Sequence, residues 1–246
     1  MNFLVTGGSR GIGEAIVLQA VQEGHEVAFT YLEQSDRAAG VVDRAQKTRC
    51  GAHVKAYQMD IRNSSSVEET GDLVLADFEK VDVVVCNAGI NRLNLLVQMS
   101  DEEWDDVLRT NLTGSFYIAR YFLPSMMAQK FGRFIFLSSM GYSGITGQAN
   151  YCASKAGLHG LASAISKEYG RRGITANVIV PGFFDTDMSR DGASLVNKEF
   201  WKQYCPLGRM GKLEEISKLV TFLTSDGAGF INGQAIPVNG GLDWAP

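Results

Sequence analysis

Short apolar segments alternate with longer amphipathic segments along the whole chain. The apolar runs are rich in Val, Ile, Phe and Leu and lack strict alternation, which is typical of strands buried on both faces. The predicted strands cover residues 3–5, 26–31, 53–59, 82–86, 134–137, 174–180 and 234–238. The predicted helices cover residues 11–23, 36–50, 65–79, 101–108, 112–129, 151–170 and 213–224.

This alternation predicts an α/β fold. Strands and helices that alternate from end to end indicate a Rossmann-like, doubly wound parallel sheet of about seven strands with helices on both faces. No linker or repeat interrupts the pattern, so we expect residues 1–246 to form a single domain. Residues 187–206 fit least well, and the aromatic residues Phe200, Trp201 and Tyr204 there indicate either a substrate lid or a packed surface helix.

Composition and charge narrow the function classes. The net charge is -4, from 23 basic and 27 acidic residues, so we expect no general attraction to nucleic acid or to an anionic membrane. The 4 cysteines and 3 histidines are scattered, which predicts neither a disulfide framework nor a metal site. The sequence shows no leader pattern and no apolar stretch long enough for a membrane span, so we expect a cytoplasmic protein.

The first predicted strand leads into a glycine-rich turn, Thr6-Gly7-Gly8-Ser9-Arg10-Gly11-Ile12-Gly13. Glycines at positions 7, 11 and 13 permit a tight turn and close approach of a pyrophosphate, which the free N–H groups of the following helix would bind. The spacing differs from G-x-G-x-x-G, and such turns can simply connect a strand to a helix. The position between the first strand and the first helix favours a dinucleotide site.

The end of the second predicted strand indicates which dinucleotide binds. An NAD site usually has an acidic residue there, which bonds the ribose 2′-hydroxyl. This strand ends at Thr30 and Tyr31, and the first acid is Glu33. Arg10 and Arg37 could meet a 2′-phosphate, so the sequence favours NADPH/NADP+.

Tyr151 and Lys155 lie four residues apart at the start of a predicted helix and therefore share one face of it. A phenol normally has a pKa near 10, but an adjacent ammonium and a cationic nicotinamide both favour the phenolate. The pair could act as a general acid/base on a carbonyl or an alcohol. The alternative is a surface tyrosine beside a solvated lysine.

Further motifs accompany this pair: Asp60, Asn87-Ala88-Gly89, Asn111, Ser138-Ser139 and Pro181-Gly182 with Thr186. Together they resemble the short-chain dehydrogenase/reductase superfamily over essentially the whole chain. Residues 147–151, 172–175, 181–188 and 232–241 are most similar to the β-ketoacyl-[acyl-carrier-protein] reductases and the related acetoacetyl-CoA reductases.

The resemblance implies a role for each matching residue. Tyr151 would donate a proton to a ketone oxygen, Lys155 would hold the nicotinamide ribose and lower the tyrosine pKa, and Asn111 would anchor a water chain. The implied cofactor-binding residues are Gly7, Ser9, Arg10, Gly11, Ile12, Gly13, Asp60, Ile61, Asn87, Ala88, Gly89, Tyr151, Lys155, Pro181, Gly182, Phe184 and Thr186. For several of these the alternative is a turn or cap residue.

The resemblance also implies a catalytic serine, which is either Ser138 or Ser139. The family usually has 12 residues between serine and tyrosine, which selects Ser138. Counting forward from Asn111 selects Ser139, because this stretch is one residue shorter than in the family. A deletion is absorbed more easily in the loop than in a buried strand, which favours Ser139.

The implied activity is NADPH-dependent reduction of a 3-oxoacyl thioester, bound to an acyl carrier protein, to the 3-hydroxyacyl thioester in fatty acid or polyketide-type biosynthesis. The alternatives are an acetoacetyl-CoA reductase, a dehydrogenase of a sugar, polyol or steroid, and a non-catalytic NADP(H)-sensing protein. An acidic carrier would need a local basic patch, which the resemblance assigns to Lys130 and Arg172 near the active-site mouth. These could equally be solvated helix-end cations. The resemblance also implies a homotetramer.

Overall fold

The computed structural model describes residues 1–187 and 203–242. Seven strands form one sheet in which every neighbouring pair is parallel, in the order β3-β2-β1-β4-β5-β6-β7. They are β1 (Asn2–Val5), β2 (Glu26–Tyr31), β3 (Val54–Gln58), β4 (Val83–Cys86), β5 (Gly132–Leu137), β6 (Ile174–Pro181) and β7 (Ala235–Val238). The strand order reverses between β1 and β4, which opens a crevice at the carboxyl ends of the strands.

Helices cover both faces of this sheet. They are α1 (Gly11–Gln22), α2 (Ser35–Thr48), α3 (Ser64–Phe78), α4 (Asp101–Leu108), α5 (Gly114–Gln129), α6 (Ala149–Tyr169) and α7 (Leu213–Thr224). One apolar cluster contains Phe134 of β5 with Phe122 of α5, and a second contains Phe29 of β2 with Ile16 of α1. The predicted doubly wound α/β fold is confirmed, and the continuous apolar strands follow from burial on both faces.

The predicted break between α4 and α5 is a single π-helical turn, Arg109–Thr113, which joins the two helices. Asn111 lies in this turn and is 1% exposed. A π turn inserts an extra residue into a helix and is frequent at functional sites.

Two further expectations concern the segment 187–206 and membrane-spanning helices. Residues 188–202, most of the segment 187–206 expected to form a lid or a surface helix, lie outside the described residues, Phe200 and Trp201 among them. Across residues 1–187 and 203–242, no helix combines the length and apolarity needed to cross a bilayer.

Candidate active site

The glycine turn between β1 and α1 forms a cradle for an anion. Gly7 and Gly11 have φ values of 66° and 57°, and a Cβ at Gly13 would lie 2.2 Å from the Gly7 carbonyl oxygen. Arg10 occupies the N-cap of α1, and its side chain makes no capping hydrogen bond. Asn87 Nδ2 braces the turn by donating to the Gly7 carbonyl oxygen at 3.0 Å. The N–H groups at the start of α1 and the lack of side chains at the three glycines therefore fit a pyrophosphate.

Tyr151 meets Ser139 across the gap between β5 and α6. A Cβ at Gly141 would lie 3.4 Å from Ser139 Oγ and 3.5 Å from Tyr151 Cε1, so the hydroxyl and the phenol ring are close neighbours. Tyr151 is half-buried as a residue, and its phenol lies in a buried environment. Burial raises the pKa of Tyr151 more than the interaction with the Ser139 hydroxyl lowers it. The phenol therefore keeps its proton at neutral pH, as a general acid requires.

Burial also governs Lys155, whose side chain lies beside the Tyr151 ring with Nζ 5.6 Å from the ring centroid. Lys155 is 5% exposed, and Nζ donates to the Leu137 carbonyl oxygen at 2.7 Å. Burial lowers the pKa of Lys155 to about 8. We expected the ammonium to lower the tyrosine pKa. In this structure burial raises the pKa of Tyr151, because burial disfavours the phenolate, and a lowering of that pKa by Lys155 stays a prediction.

Ser138 makes different contacts from its neighbour. Its Oγ donates to the Lys155 carbonyl oxygen at 3.0 Å and lies 3.0 Å from His159 Nε2. A hydroxyl that donates to the carbonyl accepts from the imidazole, so His159 carries a proton on Nε2. Successive residues of extended backbone point in opposite directions, and therefore Ser138 ties β5 to α6 while Ser139 faces Tyr151.

We expect the two serines to differ on substitution. Ser139→Ala removes the hydroxyl next to the Tyr151 phenol, and should lower kcat/KM by about 10- to 100-fold. It also removes the hydrogen bond that Ser139 Oγ accepts from Gly141 N, so it should lower the free energy of unfolding by about 1 kcal/mol as well. Ser138→Ala removes a buried hydroxyl that bonds the Lys155 carbonyl and the half-buried His159, and should lower the free energy of unfolding by about 1–2 kcal/mol. Steady-state kinetics and urea unfolding of both variants check this. Equal effects of the two changes on kcat/KM would contradict the assignment.

Asn111 uses its side chain as a brace. Its Oδ1 accepts from Ile90 N at 2.8 Å, and its Nδ2 donates to Ile90 O and to Ser154 Oγ, both at 3.0 Å. These contacts hold the loop after β4 against α6. The expected role of Asn111 in a water chain stays a prediction. Sequence reasoning missed Ser154, although it directly precedes Lys155.

A cavity of about 410 Å³ at the carboxyl ends of the strands brings most of the predicted site residues together. Those lining it are Gly7, Ser9, Arg10, Gly11, Ile12, Asp60, Ile61, Asn87, Ala88, Gly89, Ser138, Tyr151, Lys155, Pro181 and Thr186. The predicted catalytic and cofactor-binding residues that do not line it are Gly13, Asn111, Ser139, Gly182 and Phe184. A Cβ at Gly182 would lie 2.7 Å from Asn239 Cα, and Phe184 is buried against Gly211 beside a second cavity of about 320 Å³.

Asp60 lies at the carboxyl end of β3, where its carboxylate is held by Arg62. Arg62 Nε donates to Oδ1 at 2.9 Å and Nη2 donates to Oδ2 at 2.8 Å. These hydrogen bonds lower the pKa of Asp60. Arg62 Nη1 also donates to Asp106 Oδ1 at 3.0 Å. Asp60 is therefore an ionised acceptor in the cavity wall. Sequence reasoning missed Arg62, although it follows Asp60 by two residues.

Arg10 and Arg37 both lie near the carboxyl end of β2, where they could bind one phosphate. Both approach the carboxylate of Asp187, a contact that the sequence did not indicate. Arg37 donates to the Asp187 carboxylate, and Arg10 Nη1 lies 3.9 Å from Asp187 Oδ2. Glu33 also lines this end of the cavity. The 150 residues between Arg37 and Asp187 explain why no local pattern revealed the contact.

Lys130 and Arg172 lie together, but not near the cavity. Lys130 ends α5 just before β5, and Arg172 precedes β6, so both exposed side chains start from the amino edge of the sheet. A Cβ at the intervening Gly173 would lie 2.2 Å from the Lys130 carbonyl oxygen. The cavity is at the carboxyl edge, about 20 Å away along a six-residue strand. The expected position near the mouth of this chain's own site is therefore wrong, because both residues precede their strands.

The parallel sheet, the glycine cradle and the Tyr151, Lys155 and Ser139 cluster define an oxidoreductase that uses a nicotinamide dinucleotide. A family model described as Enoyl-(Acyl carrier protein) reductase matches residues 7–243. The chain belongs to the short-chain dehydrogenase/reductase family.

Individual relatives cover nearly the whole chain. The 3-oxoacyl-[acyl-carrier-protein] reductase FabG of Staphylococcus aureus is 43% identical over 240 residues, which are 97% of this chain and 96% of the relative. The enzyme of the same name from Escherichia coli is 40% identical over 248 residues, with 98% and 99% covered. The crystal structure of levodione reductase superposes with a TM-score of 0.95 at 30% identity and covers 100% of this chain and 98% of its own.

Proposed function

We propose that this chain reduces the keto group of a 3-oxoacyl thioester carried by an acyl carrier protein. The observation that carries the proposal is the placement of Tyr151 and Lys155 in the wall of the cavity that contains the glycine cradle, with Ser139 next to the protonated Tyr151. A ketone oxygen against this pair would meet two O–H donors. The names of the relatives at 40–43% identity support the 3-oxoacyl substrate class.

Each residue then has a defined task. Tyr151 gives its proton to the carbonyl oxygen, while Ser139 donates to the same oxygen as negative charge develops there. Lys155 Nζ, next to the Tyr151 ring, would hold the ribose of the dinucleotide. The dinucleotide supplies the hydride when it is bound. Asn111 keeps the loop at Ile90 in place through its three hydrogen bonds.

A substrate panel tests this proposal. The purified protein and NADPH are mixed with a carrier-bound 3-oxoacyl thioester, a trans-2-enoyl thioester, acetoacetyl-CoA and a sugar or steroid ketone. We expect the highest kcat/KM for the 3-oxoacyl substrate. A higher value for the enoyl thioester would support a second candidate function, enoyl thioester reduction, which the description of the matching family model suggests. Tight NADPH binding without turnover of any substrate would support the alternative of a non-catalytic NADP(H)-sensing protein.

We propose NADPH as the cofactor, because Arg10 and Arg37 lie near the end of β2, and β2 itself ends at Thr30 and Tyr31 and not at the acid usual in NAD sites. We expect a clear preference for NADPH over NADH. Arg10→Ala should weaken NADPH binding by about tenfold and NADH binding by much less, since only NADPH carries the 2′-phosphate. Dissociation constants of both cofactors check this, and comparable affinity of the wild type for both would contradict it.

We also propose a homotetramer in which a carrier docked at Lys130 and Arg172 serves the cavity of a neighbouring subunit. The reason is geometric, because within one chain the basic pair and the cavity lie at opposite edges of the sheet. Phe116 on α5 is 41% exposed and could pack against a neighbour. Ile118 and Phe122 of the same helix are instead buried in the core.

The docking proposal predicts that Lys130→Glu with Arg172→Glu lowers kcat/KM at least about tenfold for a carrier-bound substrate and spares a small thioester. Lys47→Glu with Lys218→Glu reverses two exposed lysines elsewhere and serves as the matched control. Equal loss on both substrates would contradict docking.

Mixed assemblies then test delivery between subunits. The Lys130→Glu, Arg172→Glu chain keeps its catalytic tyrosine, and a Tyr151→Phe chain keeps its basic pair. Co-expression of the two should restore carrier-dependent activity above that of either chain alone. No restoration in mixed assemblies, verified by mass, would show that each chain serves itself.

A further inference from the structure

Three charges converge at the adenosine end of the cavity. Asp187 follows β6, Arg10 belongs to the glycine turn and Arg37 belongs to α2. The Asp187 carboxylate accepts from Arg37, and the same oxygen lies 3.9 Å from Arg10 Nη1. Thus one carboxylate lies against both arginines that are expected to bind a 2′-phosphate.

We propose that Asp187 is a specificity-determining residue that competes with the 2′-phosphate of the cofactor for Arg10 and Arg37. This inference rests on the proposed use of NADPH. A phosphate and a carboxylate accept hydrogen bonds from the same guanidinium donors, and two anions bound to the same arginines repel each other. Binding of NADPH must therefore displace Asp187 from Arg37, whereas binding of NADH leaves this ion pair intact.

Other carboxylates at this end of the cavity make different contacts. Glu14 pairs with Arg44 at 2.7 Å, and Asp60 pairs with Arg62. Glu33 lines the cavity, but among the described residues the ion pairs of Arg10 and Arg37 are both with Asp187. Asp187 is therefore the carboxylate expected to compete with the 2′-phosphate, and a single substitution removes it.

The size of the effect follows from exposure. The side chains of Arg10, Arg37 and Asp187 are 45%, 52% and 33% exposed. Exposed ion pairs contribute modestly, so removal of the competitor should tighten binding of a 2′-phosphate by about three- to tenfold. Salt screens exposed charges, and the gain should shrink as the ionic strength rises.

The experiment uses two nucleotide fragments that differ only in the phosphate of interest. Adenosine 2′,5′-bisphosphate and adenosine 5′-monophosphate are titrated by calorimetry into the wild type, Asp187→Asn, Arg37→Gln and the double variant. Asp187→Asn should bind the bisphosphate about three- to tenfold more tightly and the monophosphate unchanged. In the Arg37→Gln background the gain should be smaller. Asp185→Asn, an exposed carboxylate two residues away, is the matched control and should bind both fragments like the wild type.

The outcomes separate this inference from the proposed cofactor. A wild type that binds both fragments equally would overturn the NADPH proposal and the competition with it. A wild type that prefers the bisphosphate, combined with no gain in Asp187→Asn or an equal gain for both fragments, would overturn the competition alone. Weaker binding of both fragments to Asp187→Asn would also overturn it, because Asp187 would then support the nucleotide site.

Discussion

Replacement of Tyr151 by phenylalanine should lower kcat at least about 100-fold, within the usual contribution of a general acid. The change preserves the ring but removes the phenol hydroxyl, and with it the transferable proton next to Ser139. The cofactor dissociation constant should change little, because the cradle of Gly7 and Gly11 and the Lys155 side chain are retained. Steady-state kinetics with a 3-oxoacyl thioester and fluorescence titration with NADPH measure the two quantities.

The control for this variant is Tyr169→Phe, the same substitution at the last residue of α6. It should leave kcat within about twofold of the wild type, because Tyr169 lies at the far end of α6 from Tyr151 and does not line the cavity. A Tyr151→Phe variant with near-normal kcat would exclude the phenol as the proton donor. A variant with normal chemistry but weak NADPH binding would assign Tyr151 to the cofactor site.

Replacement of Lys155 by methionine should abolish most of the activity and stabilise the fold. We expect kcat/KM to fall about 100-fold or more, because the ammonium beside Tyr151 is lost. We expect the free energy of unfolding at pH 7 to rise by about 1–3 kcal/mol. Lys155 is 5% exposed, and its ammonium has a carbonyl partner, Leu137, but no carboxylate partner among the described residues. Urea unfolding measures the gain.

The stability gain should depend on pH in a defined direction. Burial lowers the pKa of Lys155 in the folded protein to about 8, below its ordinary value of 10.5. Between these values the unfolded chain binds the proton and the folded chain does not, so wild-type stability rises with pH there relative to the variant. The advantage of Lys155→Met should therefore be complete below pH 8 and should shrink toward pH 10.5.

Lys167→Met is the matched control because Lys167 is an exposed lysine on the same helix. Its stability difference from the wild type should be small, because substitutions at exposed positions have small effects. A destabilised Lys155→Met variant would show that the hydrogen bond to Leu137 outweighs the burial of the charge.

The fold and the main chemical groups were predictable because short stretches of chain encode them. Buried parallel strands need continuous apolar runs, and every predicted strand overlaps an observed one. The turn from Gly7 to Gly13 and the pair Tyr151 and Lys155 each need only neighbouring residues to define their geometry. The positions of Lys130 and Arg172 were also encoded, since residues that precede parallel strands lie at the amino edge of the sheet.

Other features depended on the tertiary structure. Whether Ser138 or Ser139 meets Tyr151 depends on the register of β5 against α6, and a shift of one residue exchanges their directions. The raised pKa of Tyr151 comes from burial, which exists only once the elements have packed together. The contact of Asp187 with Arg37 joins positions 150 residues apart. Local sequence specified the elements and their reactive groups, whereas side-chain direction, desolvation and long-range pairing arose only when those elements packed together.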